Sequence, residues 1–114
     1  MVKIKRAYED RATSDGYRVL IDRLWPRGVT KEEAHVDAWM KDLAPSTELR
    51  KWFHADDSRW PEFADKYRAG LKEHPDEMRQ LADRAKDHTV TLIYGSHDEE
   101  HNHAVLLKEA LENL

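Results

Sequence analysis

Tyr17-Arg18-Val19-Leu20-Ile21-Asp22-Arg23-Leu24-Trp25-Pro26-Arg27-Gly28 is the stretch that decides the fold. Its first five residues are β-branched, aromatic or aliphatic with one interruption, the composition of a strand covered on both faces rather than of an alternating surface strand. Asp15-Gly16 supplies the turn that launches it. Pro26 lacks a ladder donor and Gly28 offers a flexible exit, so the strand ends near Asp22 and a polar loop begins there. A strand buried on both sides requires layers above and below it, which places the chain among α/β proteins.

Upstream, Val2, Ile4, Ala7 and Tyr8 interleave with Lys3, Lys5 and Arg6, an approximate period of two that predicts a short one-sided strand at a sheet edge. Glu9 to Gly16 is too polar for a packed helix and is expected to be a loop. Downstream, Thr30 with Glu32 and Glu33 forms a cap and acidic first turn, while His35 to Leu43 carries no decisive period. Ser46 is expected to cap a helix running to about Phe53, and Ser58 or Asp57 to cap another. In that second helix Trp60, Phe63, Ala64, Tyr67 and Leu71 share one side. His74-Pro75 separates it from a helix bearing Met78, Leu81, Ala82 and Ala85, and Thr89 to Tyr94 is a further strand. A last helix is expected from about Asp98 to Glu112. The order predicts one domain over residues 1–114: a small three-layer α/β sandwich with a mainly parallel sheet of about three strands. Trp60, Phe63, Tyr67, Leu20, Ile21, Leu92, Leu107 and Leu111 should share one interior.

Composition narrows function. The chain has 114 residues, of which 37% are charged and 39% hydrophobic, with a mean hydropathy of -0.91. Four Trp, four Tyr and two Phe compensate for that lean core. No cysteine is present, which excludes disulfides, a thiolate nucleophile and cysteine-ligated metal. The run His97-Asp98-Glu99-Glu100-His101 matches an inverted zinc-peptidase spacing, but it sits at a strand-to-helix turn rather than within a helix. We therefore expect no resident metal and no cofactor, with His97, His101 and His103 at most adventitious ligands. A net charge of -4 disfavours duplex DNA as a partner. The absence of an apolar leader or a long apolar run leads us to expect a cytoplasmic protein without a membrane partner. No phosphate-binding P-loop, dinucleotide fingerprint or nucleophile elbow occurs. Oligomeric state is open.

Several segments together resemble the YeaO-like proteins: Arg18 to Gly28, Trp39-Met40-Lys41-Asp42-Leu43-Ala44-Pro45-Ser46, Leu49 to Phe53, Trp60-Pro61-Glu62-Phe63, Val90 to Tyr94 and Asn102-His103-Ala104-Val105. The resemblance implies a small cytosolic bacterial α/β protein and no particular reaction. It also implies a ligand cleft formed by the Asp22–Gly28 loop, the Lys41–Arg50 segment and the Tyr94–Asn102 turn, with Lys41 and Asn102 among its ligand-binding residues. The chain departs from the family by placing His97 where a lysine is common.

In an open parallel sheet, ligands bind outside the carboxyl ends of the strands. Arg23 and Arg27, joined by Arg50, are candidates for gripping a carboxylate or phosphate, Trp25 for stacking, and Tyr94 for lying at the same edge. The competing reading pairs Arg23 and Arg50 with Asp22, Asp42 or Glu48 as structural ion pairs. Asp22 and Asp98 are the carboxylates placed for acid or base chemistry, although Asp98 with Glu99 and Glu100 also suits the dipole of a helix start. The expected function is binding of an anionic small molecule or nucleotide-like ligand, with or without catalysis. The alternative is a protein-interaction module whose Arg/Asp cluster is structural.

Overall fold

The computed structural model describes residues 1–114 and resolves the quoted segment as a strand that turns into an exposed loop. Strands β1 (Val2–Arg6), β2 (Tyr17–Leu20), β3 (Ala38–Trp39) and β4 (Val90–Tyr94) form one sheet in the order β1-β4-β2-β3. Every neighbouring pair is parallel. Val19 lies opposite Leu92 and Leu20 opposite Ile93, and the ladder continues past the strand through Ile21 N–H to Ile93 C=O at 3.0 Å. All five residues of β4 are buried, as the central position requires. The sheet has four strands where the sequence predicts about three. The additional one, β3, has two residues and lies in the aperiodic stretch His35 to Leu43, too short to impose a period.

Five helices complete the fold: α1 (Lys31–Ala34), α2 (Thr47–Ala55), α3 (Trp60–Leu71), α4 (Pro75–Asp87) and α5 (His103–Glu112). Thr30 and Glu33 form a reciprocal capping box, and Ser46 Oγ accepts from Leu49 N–H at 3.1 Å, so both expected caps form. The cap before α3 differs from expectation. Asp56, rather than Asp57 or Ser58, accepts from Ser58 N–H and leads through a 3₁₀ turn, Asp57–Arg59, into α3. The last helix starts at His103 instead of Asp98, because Asn102 caps it by accepting from Val105 N–H at 3.2 Å. Its first turn therefore carries no acid, and Asp98, Glu99 and Glu100 lie in the preceding loop.

Helices α2 to α5 supply Phe53, Phe63, Tyr67, Leu71, Met78, Leu81, Leu107 and Leu111 to the main core, against Val19, Ile21, Val90 and Leu92 from the sheet. Trp60 packs on this core while partly exposed. Leu20 does not join it. Alternation along β2 sends Leu20 to the opposite face, where it meets Ala7 and Ile93 in a small second cluster beside Trp25 and Val36. That second face is closed by loops, α1 and a buried charge cluster. Arg18, 1% exposed, donates to Asp15 at 2.6 Å and to the Ala34 carbonyl at 2.8 Å. Lys5 also pairs with Asp15 at 2.9 Å. Gly16, at φ 63°, passes so close to Thr89 that a Cβ would fall 2.3 Å from its carbonyl oxygen, which makes glycine obligatory at the entry to β2. No helix is long and apolar enough to cross a membrane.

Candidate functional site

The carboxyl ends of β2 and β4 and the amino end of α5 converge on Asp22, Gly95 and His103. Asp22 Oδ2 accepts from Gly95 N–H at 2.8 Å, an approach that leaves little room for a Cβ at residue 95. His103 Nε2 lies 2.9 Å from the Ile21 carbonyl and 3.2 Å from Asp22 Oδ1. Because a carbonyl only accepts, Nε2 carries a proton and directs it to Ile21. Asp22 Oδ1 is thus a buried acceptor beside the imidazole without a hydrogen bond of its own. Tyr67 contacts the His103 ring edge-on at 5.7 Å and donates its hydroxyl to the Leu43 carbonyl at 2.6 Å. Burial, reinforced by the charge of Asp22, pushes the Tyr67 phenol far above its ordinary pKa, so it remains a donor.

Around this center opens a cleft of about 830 Å³. Arg23, Arg27 and Arg50 line it, and no carboxylate lies within ion-pair distance of any of them. Arg23 instead reaches the Pro45 carbonyl at 3.4 Å. The structural ion pairs considered from sequence, with Asp22, Asp42 or Glu48, do not form. The acids lining the cleft are mostly committed elsewhere. Asp22 holds Gly95, Asp56 holds Ser58, and Asp98 Oδ1 accepts from Glu100 and His101 N–H groups at 2.9 Å each. Those two N–H groups hold the Asp98 carboxyl below the usual range, which suits a turn cap and weakens it as a proton donor.

The remaining sequence candidates divide. Trp25 lines the cleft, its ring fixed by a 2.6 Å bond from Nε1 to the Val29 carbonyl and an edge contact with Trp39. Lys41 lies outside the cleft with its ammonium 4.1 Å from the centroid of Trp39. Tyr94 ends β4 at the same carboxyl edge from which the Arg23–Arg27 loop departs, but its ring belongs to the core, 2% exposed, and does not line the cleft. Asn102 borders the cleft yet spends its amide on the α5 cap and the Asp98 carbonyl. His97, His101 and His103 do not converge, since they face Arg6, Asp98 and Asp22 respectively. Sequence reasoning missed His54, which lines the cleft from α2, and Arg6, whose Nε donates to the Ser96 carbonyl at 2.8 Å and braces the Gly95–Asp98 turn. The signal for Arg6 was its position as the last residue of β1, opposite Tyr94.

Fold and cleft define a small parallel α/β fold with a polar cleft, lined by arginines, aspartates and histidines, at the carboxyl edge of its sheet. The chain belongs to the family whose model is described as "Inactive DUF488-N3 subclade", which matches residues 1–114. It is 43% identical to the uncharacterized protein YeaO of Escherichia coli K12 over 113 residues, covering 99% of this chain and 98% of the relative. It is also 39% identical to an uncharacterized protein of Mycobacterium tuberculosis H37Rv over 112 residues, covering 96% and 92%. No solved structure matches the chain. The YeaO-like resemblance read from the sequence is therefore correct.

Proposed function

We propose that the cleft binds an anionic small molecule, a carboxylate, a phosphate ester or a nucleotide-like ligand, and holds it without turnover. The observation that carries this reading is the set of three guanidiniums, Arg23, Arg27 and Arg50, facing one cleft with no acidic partner. Free guanidiniums match the bidentate geometry of carboxylate and phosphate, and Trp25 offers a planar contact beside them. Two features favour binding over catalysis. Asp98 is tied to backbone N–H groups, and the family description carries the word inactive. Asp22 would serve as a positioning group, ordering the Gly95 turn and the His103 ring around the ligand.

Calorimetric titration with inorganic phosphate, pyrophosphate and a nucleoside monophosphate tests the reading. Saturable binding of at least one, weakened in Arg27→Ala and Arg50→Ala proteins of unchanged melting temperature, is the expected result. No saturable heat with any of the three, or equal affinity in both variants, would leave the interaction-module reading ahead. That second reading has its own support in Leu24 and Tyr8, 65% and 47% exposed on the cleft lining.

A further inference from the structure

Away from the cleft, three potential metal donors meet where a 3₁₀ turn, Lys41–Leu43, approaches the start of α4: Asp42, His74 and Glu77. One donor atom from each lies within 4.8 Å of the other two. His74 Nδ1 stands 3.7 Å from Glu77 Oε1, and none of the three residues lines the cleft. Asp42 and Glu77 place carboxylate oxygens within 4.8 Å of each other, yet no Lys or Arg pairs with either. The nearest candidate by sequence, Lys41, is turned onto Trp39. Asp76 adds a further negative charge nearby. Two carboxyl groups and an imidazole thus gather at one place, with no Lys or Arg among them.

We propose that Asp42, His74 and Glu77 form an exchangeable binding site for a borderline divalent metal ion, represented by zinc. One imidazole and two carboxylates match the ligand preference of zinc and its first-row neighbours better than that of magnesium or calcium, which favour oxygen alone. Zn–N and Zn–O bonds of about 2.0–2.2 Å require these donors to draw inward by roughly an ångström. All three side chains have that freedom: Asp42 is exposed and His74 and Glu77 are only half-buried. Bound metal would join the 41–43 turn to α4, two segments some 30 residues apart, while solvent fills the open coordination positions.

Titration of the full chain, without an affinity tag, with zinc ions in a non-coordinating buffer tests the site. The expected result is one saturable site that also raises the melting temperature. Asp42→Asn, His74→Ala and Glu77→Gln should each weaken it by about tenfold or more, the scale of removing a metal-site group. A His97→Ala/His101→Ala protein should bind as the parent does. Absence of saturable zinc binding, or a site kept by all three single variants and lost in the His97/His101 protein, would overturn the proposal. Circular dichroism of each variant should match that of the parent. Glu77→Gln preserves side-chain length at the start of α4, so its loss of zinc with retained helicity cannot be ascribed to unfolding.

Discussion

Arg27 stands between Pro26 and Gly28 with its guanidinium exposed and unpaired, and Arg23 is nearly as free. The competing sequence reading gives Arg23 a fixing role through an acidic partner. The structure gives it only a long bond to a carbonyl, so both arginines are available to a ligand and neither holds the fold. Arg27→Ala should weaken whichever anion titrates the cleft by about 1.5–3 kcal/mol, the value of a charged hydrogen bond, which is roughly ten- to 150-fold in Kd. The melting temperature should not move. Arg23→Ala should behave in the same way, and a large loss of stability in that variant would restore its structural role. Asp22 differs from both because its carboxylate faces inward to Gly95 and His103. Its legibility in sequence came from its place immediately after an apolar strand. Its partner His103 was not legible as such, because 81 residues separate them and only the parallel pairing of β2 with β4 brings their elements together.

At the scale of elements, the strong periodic segments were readable and the short ones were not. The α3 stripe and the run Val90 to Tyr94 each carry enough apolar residues to fix their own burial. The two-residue β3 forms because Leu20 C=O accepts Met40 N–H and Arg18 C=O accepts Asp37 N–H, contacts supplied by a neighbouring strand rather than by local pattern. The start of α5 was misplaced for a related reason. Three acids look like a favourable first turn, but Asp98 folds its carboxylate back on the N–H groups of Glu100 and His101, leaving Asn102 to open the helix. Asn102→Ala should therefore cost about 0.5–2 kcal/mol in urea unfolding, the range for a lost N-cap, whereas Glu99→Ala should cost almost nothing. Equal effects would return the helix start to Asp98. In the central strand, Leu92 is fully buried between α-helical and sheet neighbours, so Leu92→Ala should destabilize by about 2–5 kcal/mol, read from the same urea curves.

The two faces of the sheet are stabilized by different physics. One is an apolar core under four helices; the other is closed by Asp15, Arg18 and Lys5, with Thr91 Oγ1 donating to the Asp15 carbonyl at 2.6 Å. Burial by itself would raise the Asp15 carboxyl, but the Ala12 N–H and the Lys5 and Arg18 bonds outweigh it and hold its pKa at about 2 against an ordinary 3.8. A carboxyl lowered on folding stabilizes the native state above its unfolded pKa, and that contribution is lost as pH falls through the folded value. For Asp15 this amounts to about 2 kcal/mol at neutral pH, of which roughly 1 kcal/mol is gone by about pH 3. Asp98 acts in the same direction from a more exposed position, while Glu77, raised on folding, opposes both. Unfolding by urea should accordingly become easier between about pH 4 and pH 2. Asp15→Asn should flatten this acid limb and, by stranding a buried Arg18, cost about 3–5 kcal/mol at pH 7. If the variant loses stability in acid as steeply as the parent, the acid limb belongs to other carboxylates and the polar face of the sheet is not its origin.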